Sequence, residues 1–230
     1  MANEVHPTAI VGPGVELGSG TVVGPYAVLT GPCRIGDGSW IGAHAVIGAA
    51  PEIRGHEPGL PWADTTRDLG VEIGAGTTVR EFATVHRGTQ RPTRIGDRCF
   101  VMNKVHLGHD VVVGDDVTLA VGAILGGHVD VGDGANLGLA AVLHQRRVVG
   151  PGAMVGMGAV VTRDVPPWAT AFGAPARVRG ANEVGMGRRG LGAEDIAAVA
   201  ELYRSGDGAE GWTPPEALRP AWEWWLARTS

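Results

Sequence analysis

His109, Gly127 and Gln145 are spaced eighteen residues apart. His128 and His144 lie one position to either side of that series, and His106 lies three before His109. An imidazole near neutral pH takes a proton from a hydroxyl or an amine, and an adjacent carboxylate such as Asp110 orients the ring and stabilises the imidazolium. A glycine at the same point of the series offers a bare backbone N–H to a developing oxyanion. Base, carboxylate and oxyanion donor suit acyl transfer. No Ser or Cys accompanies the histidines as a nucleophile, so attack would be direct, without a covalent enzyme intermediate. On this reading Asp110→Asn, which disturbs orientation, costs less than deletion of the imidazole. Clustered histidines also bind zinc, and that class stays open.

Eighteen is three times six, and six is the period of the chain. An aliphatic residue recurs at every sixth position from Ile95 to Val161, an earlier run extends from Val5 to Ile47, and Ile73, Val79 and Val85 continue it between. Gly often follows the aliphatic, as at Gly36, Gly96 and Gly108, and the residue four after it is usually small or β-branched, as at Ala45, Cys99 and Ala123. Units this short bury their apolar side only by stacking on one another. The expected fold is mainly β, a parallel β-helix in the form of a triangular prism, with three six-residue sides per coil and Gly relieving the corners. Residues eighteen apart then stack at about 4.8 Å, which sorts the corners into three columns. Asp97, Asp115, Asp133 and Pro151 form an edge expected to be solvated. Asn103, Val121, Leu139 and Met157 form an apolar row that a partner or an acyl chain should cover. His109, Gly127 and Gln145 form the third.

The solenoid should occupy residues 1–165, with insertion loops near 49–70 and 88–93, and the Asp164-Val165-Pro166-Pro167 segment should end the register because paired prolines cannot donate to a ladder. A linker is expected over 166–190. In a helical segment over 191–230, Ala193–Tyr203 and Pro215–Ala227 read as helices, and Trp222, Trp224 and Trp225 as packing residues. The net charge of −5 argues against a nucleic-acid footprint. No stretch reaches the length of a membrane span, no signal segment is apparent, and a cytoplasmic location is expected. Cys33 and Cys99 fall on the small inward position and read as core fillers.

The runs Glu81–Thr89, His106–Asp110, Gly127-His128 and Val142–Gln145, followed by Asn182 and Arg188-Arg189-Gly190, resemble the UDP-N-acetylglucosamine 3-O-acyltransferases that begin lipid A synthesis. The resemblance covers nearly the whole chain. It implies a left-handed β-helix, a homotrimer, an acyl carrier protein thioester as donor, a nucleotide-sugar hydroxyl as acceptor, and no cofactor or metal. It makes His109 the general base, Asp110 its carboxylate and Gly127 the oxyanion donor. It has His86, His106, His128, His144 and Gln145 lining the sugar and pantetheine pocket, and Asn182, Arg188 and Arg189 meeting the nucleotide. Val121, Leu139 and Met157 would line the acyl groove, with Met157 as a floor that selects donors of about ten carbons or fewer, since each excluded methylene forfeits about 0.8 kcal/mol. The chain departs from the family at Val184, where an acidic residue is expected, and in the 49–70 loop, which lacks a Gln-Asp-Leu-Lys stretch. These departures motivate a second reading, an acyltransferase of a specialised pathway acting on another sugar or an amine. A zinc-dependent hydratase of the carbonic-anhydrase type and a silent scaffold are the readings from other classes.

Overall fold

A computed structural model describes residues 2–56, 69–205 and 212–229. Its strands, mostly of two residues, stack into three sheets of ten, eight and seven strands, called here sheets I, II and III, parallel throughout except for the last strand of sheet I. Each coil contributes one strand to each sheet: Phe100–Val101 to sheet I, His106–Leu107 to sheet II and Val112–Val113 to sheet III. Phe100 pairs with Thr118, Thr118 with Asn136 and Asn136 with Met154, which is the eighteen-residue coil. Trp40 pairs with Thr78 and Thr78 with Phe100, so both insertions loop out of corners while the register resumes beyond them. The centre of the first insertion, including Trp62, lies outside the described residues.

The six-residue aliphatics point inward. Val101, Leu107, Leu119, Leu125 and Leu137 are all fully buried, with Ala123, Ala141 and Val117 filling the space beside them. Each large side chain so buried contributes about 1.5–3 kcal/mol, and because a coil has no other core, stacking is the source of its stability. Cys33 and Cys99 are free and sit in this core; burial pushes their thiols up to about 12 and about 11.

The corners work differently from the expectation. The left-handed backbone falls three residues after each aliphatic, and non-glycine residues hold it in many coils, among them Asp110 at φ 63° and His128 at φ 62°. The Gly that directly follows the aliphatic is required by close approach instead: a Cβ on Gly36 would lie 2.5 Å from the Ala75 amide nitrogen of the coil above. The aspartate column is also more than a solvated edge. Asp97 Oδ1 accepts from the Ala75 amide at 2.7 Å, Asp115 from Asp97 at 2.9 Å and Asp133 from Asp115 at 2.9 Å, so each carboxylate ties down the coil before it.

Residues 166–190 are not a linker. Ala169–Phe172 adds a parallel strand to sheet I beside Met154–Val155, and Arg177–Ala181 returns antiparallel to it. The prolines end the six-residue register, but Ala169 and Ala171 still point inward and close the prism. Helix α1 (Glu183–Arg188) follows, capped by Asn182, whose side chain accepts from the Gly185 amide at 3.1 Å and donates to the Gly152 carbonyl at 2.8 Å. Helix α2 (Ala193–Ser205), a short 3-10 turn (Glu216–Leu218) and helix α3 (Arg219–Thr229) complete the chain. Trp168, Met186, Val199, Leu202, Leu218 and Trp222 form a second core there, so Trp222 is a packing residue as expected.

Candidate active site

The His109 corner joins sheets II and III. His109 Nδ1 lies 2.7 Å from Asp110 Oδ2, and Asp110 is fully buried. Its Oδ1 accepts from the amides of Thr89 at 2.9 Å, Gln90 at 2.7 Å and Arg91 at 2.9 Å, and Oδ2 also accepts from the Thr89 hydroxyl at 2.9 Å. Burial alone would raise this carboxyl, but the amides and the His109 ring outweigh it and hold it well below the usual carboxylate range. A buried, ionised Asp110 accepts the Nδ1 proton of His109 and leaves the Nε2 lone pair free. That lone pair lies over Gly127, where a Cβ would stand 2.7 Å from Nε2. Only glycine leaves Nε2 accessible here. Among the described residues no hydrogen bond engages the Gly127 amide.

His128 stands edge-on to His109 with ring centroids 4.9 Å apart, its Nε2 3.8 Å from Asp110 Oδ2, and burial lowers its pKa. His106 and His86 form a separate pair on sheet II, 5.1 Å between rings, facing Glu52. His144 and Gln145 are exposed at the same edge, the His144 Nδ1 being 3.1 Å from the Gln145 carbonyl. Asn182, Arg188 and Arg189 are not with them. They line a cavity of about 420 Å³ with Asp116, Thr118, Asn136 and Val184, on the sheet I side of the prism, one flat side away from the His109 edge. Val121, Leu139 and Met157 form an exposed row at the corner of sheets I and II, with Met157 74% exposed. Ile124, Val142 and Val160 continue the apolar surface across sheet II toward the histidines.

Sequence reasoning missed several contributors. Thr89, Gln90 and Arg91 belong to the second insertion and clamp Asp110. Arg91, Arg146 and Arg228 line a cavity of about 430 Å³ beside His128, with Arg91 bridged to Asp130 at 2.7 Å. Helix α3 brings Arg228 there; its position near the end of the chain carried no signal. Among the described residues, two groups have ligand atoms close enough to hold a metal ion: His109, Asp110 and His128, and Glu52, His86 and His106. In the first, both Asp110 oxygens are already engaged by protein donors, an arrangement that favours base chemistry.

Residues 164–206 match the family described as UDP-N-acetylglucosamine O-acyltransferase, domain 2, and residues 92–127 match the bacterial transferase hexapeptide family. An acyl-[acyl-carrier-protein]–UDP-N-acetylglucosamine O-acyltransferase of Thermodesulfovibrio yellowstonii is 40% identical over 215 residues, covering 88% of this chain and 83% of that protein. The chain belongs to the UDP-N-acetylglucosamine O-acyltransferase family. The similarly named protein of Halorhodospira halophila is 42% identical over 222 residues, covering 87% of this chain and 83% of its own. The solved UDP-N-acetylglucosamine acyltransferase of Campylobacter jejuni superposes with a TM-score of 0.78 at 28% identity, over 97% of this chain and 96% of that one. This acyltransferase therefore has the parallel β-solenoid of its relatives, and the matches favour O-acyl transfer over the hydratase and scaffold readings.

Proposed function

We propose that the enzyme transfers a fatty or hydroxy-fatty acyl group from an acyl carrier protein thioester to a hydroxyl of UDP-N-acetylglucosamine. The observation that carries the reading is the His109–Asp110 pair at 2.7 Å, with the open face of Gly127 against Nε2. His109 Nε2 takes the hydroxyl proton as the sugar oxygen attacks the thioester carbonyl. The Gly127 amide donates to the resulting oxyanion. The tetrahedral intermediate collapses, the pantetheine sulfur leaves, and the imidazolium returns the proton to the thiolate, so base and acid are the same residue. The thioester carries the activation, so no cofactor enters the scheme.

His86, His106, His128, His144 and Gln145 serve as the walls of the acceptor and pantetheine pocket, and Asn182, Arg188 and Arg189 hold the nucleotide. A paired guanidinium is a strong clamp for phosphate oxygens. Within one chain these two groups lie on different edges, and the apolar row of Val121, Leu139 and Met157 lies uncovered on the third. A homotrimer supports both needs: each His edge would face a neighbour's apolar row, and the neighbour would supply what the edge lacks. A cytoplasmic location, where acyl carrier protein operates, completes the proposal. The relatives, acyl-[acyl-carrier-protein]–UDP-N-acetylglucosamine O-acyltransferases by name, support the donor and acceptor. Mass spectrometry of products from acyl carrier proteins of graded chain length and UDP-N-acetylglucosamine tests it. The expected result is an O-acylated nucleotide sugar that is absent with His109→Ala. Retention of most activity by folded His109→Ala would reject the base assignment, and light scattering that shows an active monomer would reject the trimer.

A further inference from the structure

Glu52, at the start of the first insertion, folds back onto sheet II and sets its carboxylate between imidazoles from two successive coils. Its Oε2 lies 3.0 Å from His106 Nε2 and its Oε1 3.5 Å from His86 Nε2. Each ring is also engaged at its other nitrogen, His86 Nδ1 with the Ala50 carbonyl at 2.6 Å and His106 Nδ1 with the Thr84 hydroxyl at 2.9 Å. A carbonyl only accepts, so His86 carries a proton on Nδ1. When that ring is neutral, its Nε2 lone pair and a carboxylate oxygen face each other across 3.5 Å, two acceptors that a shared cation would bridge.

We propose that Glu52, His86 and His106 form a three-ligand site for zinc or a neighbouring divalent transition metal. Two imidazoles and a carboxylate are a common zinc ligand set, and the outer contacts of both rings are of the kind that fix ligand tautomers, an N–H held by a backbone carbonyl or a hydroxyl. The spacing agrees. Zinc–nitrogen bonds of about 2.0–2.1 Å imply ligand atoms about 3.3 Å apart at the edge of a tetrahedron; the two contacts above run to different carboxylate oxygens, and one ligand atom from each of the three residues lies within 4.8 Å of the others. Thr84 then accepts the Nδ1 proton of His106 once the metal takes Nε2. The fourth position stays open to water or a small anion. The site is separate from His109–Asp110, shares no residue with it, and ties the start of the first insertion to two coils. If His86 and His106 line the acceptor pocket, the bound ion excludes the sugar and the site is inhibitory; that consequence rests on the proposed function, whereas the binding test does not.

The test is titration of the chelator-treated full-length protein with cobalt(II), followed by the visible absorption of a low-coordinate complex, and displacement of the cobalt by zinc. One ion per chain is expected. Glu52→Gln keeps the size of an exposed side chain but removes its charge, and it should weaken binding at least about tenfold; His86→Ala should do the same, and His109→Ala should leave affinity unchanged. The proposal is overturned if no saturable binding is seen, if folded Glu52→Gln binds as the parent does, or if binding is lost with His109→Ala and kept with Glu52→Gln, which would place the ion in the other cluster.

Discussion

Replacing Asp110 by Asn swaps one acceptor for a donor at the atom that faces His109. The three amides of Thr89, Gln90 and Arg91 all point at Oδ1, so the carbamoyl oxygen must stay there and the NH₂ must take the place of Oδ2. It then sits 2.7 Å from His109 Nδ1 and donates to it. His109 is forced to accept at Nδ1 and to carry its proton on Nε2, the atom over Gly127, so the base is capped where the sugar hydroxyl should meet it. The loss is then the whole general-base contribution, about 10²–10⁴-fold in kcat, close to that of His109→Ala. The smaller loss expected of a merely orienting carboxylate does not follow from this geometry. Stability falls as well, by about 1–3 kcal/mol, because hydrogen bonds to an ionised acceptor become neutral ones. The assay is kcat at saturating donor and acceptor for the parent, Asp110→Asn and His109→Ala, with thermal unfolding of each. A folded Asp110→Asn enzyme that keeps more than about a tenth of parental kcat would refute the tautomer argument.

Gly127→Ala should lower kcat at least about 10²-fold with little change in melting temperature, because the new methyl displaces the His109 ring while the local backbone tolerates alanine; unchanged kcat would show that the ring is not needed where it lies. Met157→Gly should extend donor use beyond about ten carbons, since each newly accommodated methylene regains about 0.8 kcal/mol; an unchanged chain-length profile in donor competition assays would make Met157 only a packing residue. Acid should destabilise the fold in two stages. His106 and His128 have folded pKa values lowered mainly by burial, so the unfolded chain binds more protons and urea midpoints should begin to fall below about pH 6.5. The depressed Asp110 carboxyl stabilises fully above its unfolded pKa of about 3.9, and that part is lost as pH falls further. Asp110→Asn should shrink the second stage, the remainder coming from Glu81 and Asp116, whose carboxyl pKa values are also lowered, and an identical acid profile in parent and variant would contradict it.

The solenoid was legible because its inward positions carry aliphatics at a fixed period and nothing else in the coil competes for the core. Where the inward residues shrink to Ala169 and Ala171 the hydrophobic signal disappears, although the strand continues, and so 166–190 read as a linker. Helix α1 was hidden for a related reason: Gly185 and Gly187 depress helix propensity in a six-residue helix that relies on its Asn182 cap. In the site, His109 and Asp110 were visible because they are neighbours in sequence. Thr89, Gln90 and Arg91 were not, because they act through backbone amides, which any residue possesses. Glu52 lies in an insertion without periodicity, and only the path of the chain shows that it reaches His86 and His106. The crowding of Gly127 against His109 supplies a reason for glycine at that position beyond the exposed amide that the sequence suggested.

Regular strand spacing makes the prism a graduated scale. His109 is at the level of Asn103, and Met157 stands three coils further along that column. At about 4.8 Å per coil the separation is about 14 Å along the axis. An extended chain advances about 3.8 Å for every three bonds, so 14 Å corresponds to about eleven bonds, in keeping with Met157 as the floor for a donor of about ten carbons. Moving the obstruction by one coil, to Leu139, would change the measured length by nearly four carbons. With Met157 as the proposed floor, selectivity for acyl length would shift in coarse steps with the coil that carries the bulky residue, and the size of that residue would supply the finer divisions.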